Sequence, residues 1–289
     1  MAVSKRTVAE PQKLAFDGPV TALQVRVVGG TVNVVGTDEP GARLEVSAVE
    51  GPPLLVTYED GRLTVAYEDL PWQDLLRWLD PGGRRRSAVV SLTVPAAASV
   101  EVGVVGAGAV VSGIEGRTDV RGITGDITLV GLSGAVRGDS VSGSLEAQGV
   151  TGDLRFHSVA GDLTVVDGAG ASVRAESISG DMVLDVEPSA AAADRPTDIR
   201  LTTVSGEIAI RLPHPADARV EANTASGAVS NAFEDLRVGG QWGAKKITGT
   251  LGAGTGTLKA TTVSGSIALL RRPPAEEAAQ GAEPTGKVL

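Results

Sequence analysis

The sequence predicts an all-β protein: a parallel β-solenoid, similar to a β-helix, with a strand-rich N-terminal cap and one short helix. The main observation is a unit of nine residues, centred on glycine, that recurs between Ile123 and Asp167. The same glycine-centred pentad returns at wider spacing as far as Ile267. Units that repeat at a fixed period and carry aliphatic residues are typical of stacked folds, in which each unit buries its apolar face against the next.

Each unit is expected to form one short strand and one corner. The aliphatic residues that flank the Ser/Thr-Gly pair suit a pleated, half-buried surface, so we expect them in the core. The Ser and Thr side chains are expected to stack and to exchange hydrogen bonds between rungs. Because nine residues at roughly 3.3 Å each cannot close a coil, two units are expected to form one coil of about 18 residues.

Glycine is expected at the corners. A residue without Cβ tolerates positive φ and allows the backbones of successive rungs to approach closely. The predicted structural corners are Gly113, Gly125, Gly134, Gly143, Gly152, Gly161, Gly180, Gly206, Gly227, Gly249 and Gly265.

Three regions are expected along the chain. Residues 1–110 form the N-terminal cap, which contains a tight hairpin turn at Asp60-Gly61. Residues 111–272 form the solenoid, continuous with the cap in one elongated domain. Residues 273–289 are rich in Ala, Glu, Gly and Pro, so a disordered tail is predicted. Two arginines and two prolines at 271–274 are expected to block further strand pairing at the end of the stack.

The one predicted helix spans residues 71–80. Apolar residues recur there at helical spacing, Pro71 lies in the first turn, and Pro81-Gly82-Gly83 follows the segment. Tryptophans on this helix, with the arginines after it, can either cover an open end of the stack or bind a partner. The candidate partner-binding residues are Trp72, Trp78, Arg84, Arg85 and Arg86.

Composition and charge exclude several classes of function. The formal net charge of −9 argues against nucleic acid as the main partner, because phosphate binding requires clustered Lys and Arg. Cysteine is absent from the sequence, which excludes disulfides, thiolate nucleophiles and cysteine metal sites. No secretory signal and no apolar membrane-spanning stretch are recognised, so a soluble, cytoplasmic protein without a transmembrane segment is expected.

Catalysis is one alternative, since parallel β-helices include carbohydrate-active enzymes that use acidic clusters and aromatic platforms. The only two histidines, His157 and His214, lie far apart in the sequence. Neither a Gly-x-Ser-x-Gly elbow nor a His-Glu-x-x-His motif is present. We therefore predict that the protein is not an enzyme and has no catalytic or cofactor-binding residues.

Calcium binding is a second alternative. Asp126, Asp153, Asp162 and Asp181 each follow a corner glycine, and a regular acidic rhythm is typical of calcium-binding β-rolls. The Gly-Gly-x-Gly-x-Asp motif of those proteins is absent. Because Asp commonly hydrogen-bonds backbone groups in turns, we interpret the four residues as turn aspartates and predict no metal site.

The Val-Ser-Gly-Asp-Leu type units, with Gly-Gly-Thr-Val-Asn-Val at 29–34, resemble the bacterial family called domain of unknown function 4097, also known as the toastrack or adhesin-like domain. The resemblance covers roughly Ala22 to Leu270. It implies a β-strand repeat fold and an association with adhesion or with bacterial envelope-stress systems, and it carries no catalytic motif.

The leading hypothesis is a non-enzymatic β-solenoid scaffold or binding module. Its flat faces and the segment with two tryptophans and three arginines are expected to contact an unknown protein partner or a second copy of the chain. A carbohydrate-active β-helix enzyme and a calcium-binding β-roll are the alternatives.

Overall fold

The computed structural model describes residues 4–67, 86–170, 172–187, 196–241 and 243–272. These residues are all-β and contain no helix. The predicted helix and the predicted C-terminal tail both lie outside them.

The described residues form 26 strands. The first eight are β1 (Ser4–Val8), β2 (Gln12–Phe16), β3 (Ala22–Val27), β4 (Gly29–Thr37), β5 (Ala42–Glu50), β6 (Leu54–Glu59), β7 (Arg62–Tyr67) and β8 (Ser87–Pro95). The next twelve are β9 (Ser99–Val104), β10 (Gly108–Ser112), β11 (Thr118–Gly122), β12 (Ile127–Val130), β13 (Val136–Ser140), β14 (Leu145–Gln148), β15 (Leu154–Ser158), β16 (Leu163–Gly168), β17 (Ser172–Ser179), β18 (Met182–Val186), β19 (Asp198–Ser205) and β20 (Ile208–Leu212). The last six are β21 (Ala218–Ser226), β22 (Val229–Asn231), β23 (Leu236–Gln241), β24 (Ala244–Leu251), β25 (Gly256–Ser264) and β26 (Ile267–Arg271).

These strands form two large, mostly parallel sheets. Sheet A has the order β1-β6-β7-β3-β9-β11-β13-β15-β17-β19-β25-β21-β24-β23, and sheet B has the order β2-β5-β8-β4-β10-β12-β14-β16-β18-β20-β26-β22. From β8 to β22 successive strands alternate between the sheets, so each coil in this part of the β-solenoid-like fold contributes one strand to each sheet.

The pairing register confirms that two nine-residue units make one coil. In sheet A, Val136 pairs with Leu154, which lies 18 residues later. In sheet B, Leu145 pairs with Leu163 at the same spacing. A single unit therefore supplies one strand and one corner, and its partner unit supplies the return strand.

The core lies between the two sheets and is filled by side chains that alternate along each strand. In β8, Ala88, Val90, Leu92 and Val94 point inward and are at most 1% exposed. Phe156 in β15 is among the largest fully buried side chains. Small aliphatic side chains suit this core because successive coils leave little space between the sheets.

The coils do not stack in chain order at either end. Strand β3 lies between β7 and β9 and is parallel to both. At the other end, β25 lies between β19 and β21 and is parallel to both. The prediction that the last strand ends the stack was therefore wrong. The chain first forms the outer coil β21/β22 and then returns, so that both edges of β25 are hydrogen-bonded.

Antiparallel strands terminate both ends of sheet A and the N-terminal end of sheet B, whereas sheet B ends at the parallel strand β22 on the other side. At the N-terminal end, β6 pairs with β7 and β1 pairs with β6, while β5 and β2 extend sheet B. The predicted hairpin turn between β6 and β7 is confirmed, with φ of 48° at Asp60 and 78° at Gly61. At the opposite end, β24 pairs antiparallel with β21 and β23 pairs with β24.

Two kinds of corner alternate in each coil. The first corner leads from sheet A to sheet B, and the second leads back. The first-corner glycines stack as a ladder made of Gly125, Gly143, Gly161, Gly180, Gly206, Gly265 and Gly227. At the second corner, Gly116, Gly134, Gly152 and Gly170 form an equivalent ladder.

Close approach, rather than positive φ, explains these glycines. A Cβ on Gly143 would lie closer than 3.0 Å to the carbonyl oxygen of Gly125, yet Gly143 does not have positive φ. Gly113 differs, because its φ is 65°. Gly131 and Asp167 occupy the same position in later coils, with φ of 60° and 51°.

Gly249 does not form a corner. It lies inside β24, where it pairs with Val220 on one side and with Leu236 on the other. The pentad around it matches the repeat in sequence, but this part of the chain runs antiparallel to β21 and ends sheet A.

The aliphatic residues two positions after the corner glycines are buried at both corners, as expected, but those two positions before them are buried at only one. At the second corner, Leu132 and Val150 are 1% and 2% exposed. At the first corner, Val141 and Val159 are 43% and 46% exposed, contrary to expectation. At the first corner, the alternation of inward and outward side chains continues from the strand, so the aliphatic residue points outward. At the second corner, a residue with positive φ, such as Gly149, interrupts this alternation, and the aliphatic residue that follows it points inward.

The corner hydroxyls bond backbone carbonyls rather than one another. Thr124 Oγ1 donates to the Val105 carbonyl at 3.1 Å, and Ser142 Oγ donates to the Ile123 carbonyl at 3.1 Å. Each hydroxyl thus links its own coil to the preceding one, which differs from the expected exchange between side chains.

The end of β26 is anchored to the middle of the stack. Arg272 donates from Nη2 to Asp167 Oδ1 at 2.8 Å, and it also lies 3.5 Å from Asp185 and 3.7 Å from Glu187. Arg211 pairs with the same Asp185, whose side chain is 8% exposed. The expected role of Arg272 at the end of the stack is therefore corrected: it joins coils in the interior of the stack.

Candidate functional site

The predicted partner-binding residues are only partly described. Trp72, Trp78, Arg84 and Arg85 lie outside the described residues. Arg86 immediately precedes β8 and is half-buried.

The outer face of sheet A carries a straight row of positive charge that the sequence analysis missed. Each cation pairs in register with the one on the neighbouring strand, and all are exposed. This basic row consists of Arg137, Arg155, Arg174, Arg200 and Lys259. Strands in a sheet lie about 4.8 Å apart, so the row extends about 19 Å along the axis of the stack.

Carboxylates limit the basic row at both ends. Asp119 pairs with Arg137 on one side, and Glu221 pairs with Lys259 on the other. Hydrogen bonds from Asn223 and Lys246 hold the pKa of Glu221 below its usual value. The row is therefore a bounded segment of the face.

Some of the cations are already paired. Asp198 accepts hydrogen bonds from Arg174 at 2.8 Å and from Arg200 at 2.9 Å. The pKa of Asp198 lies below its usual value, chiefly because of the hydrogen bond from Arg174. Arg137 makes two hydrogen bonds to Asp139, at 2.9 and 3.2 Å, which raise the pKa of the guanidinium.

Arg155 and Lys259 make no salt bridge within the described part of the chain. Arg155 stands between Arg137 and Arg174 in the register, and Lys259 stands beside Arg200. Like charges directly opposite each other on neighbouring strands are destabilising. Arg155, which has a cation on both sides, therefore most favours an added anion, whereas Lys259 has the Glu221 carboxylate on its other side.

A second row of side chains runs beside the basic row on the same face. Its members carry carboxylate, imidazole, hydroxyl and amide groups and are in register from strand to strand. This polar row consists of Asp139, His157, Glu176, Thr202, Thr261 and Asn223. His157 Nδ1 lies 3.4 Å from Asp139 Oδ1.

The outer face of sheet B is different in chemistry. Its outward positions are mostly Val, Thr, Ser and Ala, and aliphatic side chains there are partly exposed, such as Val183 at 46% and Leu270 at 43%. The two faces of the solenoid therefore offer one charged and one largely neutral surface.

The described residues form shallow grooves on the surface, two of which are lined by charged side chains. One of about 160 Å³ lies at the first corner between Arg121, Asp139 and Val141. The other, of about 320 Å³, lies over β2, β5 and β8 and is lined by Lys13, Glu45 and other residues.

His157 lies in β15 on sheet A, whereas His214 lies in the connection between β20 and β21.

Three of the four aspartates that follow corner glycines accept hydrogen bonds from backbone amides of the next coil. Asp126 Oδ1 accepts from the Ser144 amide at 3.0 Å, and Asp162 Oδ1 accepts from the Asp181 amide at 2.8 Å. Asp181 does the same for Glu207 at 2.7 Å. Such bonds agree with turn aspartates. The described residues contain no cluster of three or more His, Asp or Glu side chains suited to a metal ion.

No family model and no curated protein matches the chain. The solved structures that align with it include the following two. A proposed cell adhesion protein from Clostridium sporogenes ATCC 15579 has a TM-score of 0.31 and 10% identity over 91% of this chain and 100% of its own. A proposed adhesin from Parabacteroides merdae ATCC 43184 has a TM-score of 0.39 and 8% identity over 91% and 97%. Values this low carry no argument about function.

Among the described residues, no helix has both the length and the apolar character needed to cross a membrane.

Proposed function

We propose that the protein is a non-enzymatic binding module, in which the β-solenoid is the scaffold and the outer face of sheet A contacts an anionic ligand. The observation that carries the proposal is the basic row, and above all Arg155 and Lys259, which make no salt bridge among the described residues. A rigid sheet holds these cations in fixed register, which reduces the entropy lost on binding.

Binding fits this geometry better than turnover. Active sites are concave and bring several polar groups together around one point. On the outer face of sheet A the charged side chains instead spread along a row on neighbouring strands. The adjoining groove of about 160 Å³ contains the Asp139 carboxylate beside Arg121, an arrangement that suits ionic contact.

The biological setting belongs to the proposal as well. The resemblance of the repeats to the adhesin-like family supports a role in adhesion or envelope stress. A cytoplasmic location is the expectation from the sequence, and cell fractionation would test it. The segment containing Trp72 and Trp78 is a second candidate contact, for a protein partner or for a second copy of the chain.

Retention on a sulfonated cation-exchange resin tests the proposed face. A chain with a formal net charge of −9 binds such a resin only through a local basic surface. We expect the wild type to be retained at low salt and the double variant Arg155→Gln/Lys259→Gln to elute earlier. The matched control is Arg237→Gln/Lys245→Gln, which removes the same charges from exposed positions in β23 and β24. Equal elution of both double variants would refute the proposal.

A further inference from the structure

We propose that the ligand of the basic row is a linear polysaccharide that carries carboxylates and lies extended along the axis of the stack. This inference rests on the proposed function, because it assigns the ligand class of the same face.

The shape of the row requires an elongated ligand. Its five cations lie on five neighbouring strands, so the line that joins them runs across the strands. At about 4.8 Å per strand, a compact anion contacts one or two cations, and only a chain with repeated anionic groups contacts all of them. The limiting carboxylates, Asp119 and Glu221, restrict this contact to a short stretch of the polymer.

The polar row indicates a ligand with hydroxyl groups. Thr202, Thr261 and Asn223 offer both donors and acceptors beside the cations, whereas the carboxylates of Asp139 and Glu176 only accept hydrogen bonds when ionised. A uronic acid residue supplies what both rows need, since its carboxylate pairs with a cation and its hydroxyls donate to carboxylates. Polyphosphate offers acceptors alone, so it gives Asp139 and Glu176 no hydrogen-bond donor to offset the repulsion between negative charges.

Single-stranded nucleic acid fits this face less well. Proteins that bind it without sequence preference stack the bases on aromatic side chains beside a basic groove. On β13, β15, β17, β19 and β25 no outward residue is Phe, Tyr or Trp, and the one outward ring is the imidazole of His157. Phe156 in β15 points into the core with 0% exposure.

The cations that make no salt bridge among the described residues are expected to contribute most to binding. Arg174 and Arg200 already share the Asp198 carboxylate, and Arg137 is held by Asp139. Arg155 and Lys259 can each form a new charge-assisted hydrogen bond without breaking an existing one. Charge-assisted bonds are stronger than neutral ones, so these two positions should dominate both affinity and its dependence on salt.

Calorimetric titration of the full chain with polygalacturonate tests the inference. The matched ligand is fully methyl-esterified polygalacturonate, which keeps the backbone and hydroxyls but lacks the charges. We expect polygalacturonate, whose carboxylates are ionised, to bind with an affinity that falls as the salt concentration rises. We expect no measurable binding of the methyl ester. Arg155→Gln/Lys259→Gln should weaken binding at least about tenfold, and Arg237→Gln/Lys245→Gln should leave it within about twofold. Thermal melts establish that each variant is folded.

The other outcomes separate the two proposals. Tighter binding of polyphosphate or an oligothymidylate than of polygalacturonate would overturn the polysaccharide assignment, and so would equal binding of the esterified chain. Retention on the sulfonated resin without polygalacturonate binding would also overturn it, while the proposed anion-binding face would stand. Loss of both retention and binding would reject the face itself.

Discussion

The backbone carbonyl oxygen of Gly134 lies directly against Gly152 on the next coil, so close that a Cβ on Gly152 would come within 3.0 Å of it. Gly125 and Gly143 have the same relationship at the other corner. Successive coils can therefore keep their backbone hydrogen bonds only while these positions carry no side chain.

Replacing Gly152 by Ala is expected to destabilise the protein by about 1–3 kcal/mol, because the methyl group meets backbone that cannot move without separating the coils. Valine at Gly152 or Gly143 should cost more. Thermal or urea denaturation measures the loss. The control is Gly239→Ala in β23, where an added Cβ has no neighbour within 4 Å. If Gly152→Ala and Gly239→Ala melt alike, close approach does not explain the corner glycines.

Asp162→Ala is expected to destabilise the protein by about 1 kcal/mol, because the Asp181 amide loses the acceptor that now lies 2.8 Å away. Asp162→Asn keeps an acceptor oxygen at the same position and should lose less. Urea denaturation distinguishes the two variants. Equal destabilisation would mean that the negative charge, rather than the hydrogen bond, is what matters.

Calcium and chelators are expected to leave the melting temperature unchanged. The carboxylates of Asp126, Asp162 and Asp181 are engaged by backbone amides of the next coil. A site occupied at a hundred times its dissociation constant would add about 2.7 kcal/mol, so a melting curve detects it readily. A rise of several degrees with calcium would restore the β-roll alternative.

Removing Arg174 is expected to raise the pKa of Asp198 toward its ordinary value, because the hydrogen bond from Arg174 is the main cause of its depression. Since the folded-state pKa is lowered, the stability that Asp198 contributes is present above the unfolded-state pKa and is lost as pH falls through the folded-state pKa. NMR titration of the carboxyl group measures the change. Arg200→Ala should produce a smaller shift, and the reverse order would contradict this assignment.

Arg272→Ala is expected to destabilise the protein by about 1–3 kcal/mol, because Arg272 bonds Asp167 and approaches Asp185 and Glu187 on neighbouring coils. Arg271→Ala is the control, since Arg271 is exposed at the adjacent position. Deleting residues 275–289 should leave the melting temperature unchanged. If Arg271→Ala and Arg272→Ala have the same effect, Arg272 is not an anchor.

Part of the candidate site was visible in the sequence. A basic residue follows an aliphatic one once in each coil, as Val-Arg at 136, Leu-Arg at 154 and Val-Arg at 173. A search at the period of the coil would have found these three cations on one face. It would not have found that Lys259 lies beside Arg200, because a whole coil and a hairpin separate them in the chain.

The sequence by itself determined the local rules: an all-β chain, two nine-residue units to a coil, and glycine where backbones crowd. Those features depend on contacts between neighbouring units, and the repeat records them directly. Only the tertiary structure decided the order of the coils at the two ends, the antiparallel position of Gly249 and the exposure of Val141 and Val159. These three features depend on which strand edges are hydrogen-bonded and on how each corner turns the backbone. A glycine-centred pentad is compatible with a parallel or an antiparallel strand, so the sequence pattern alone does not distinguish them.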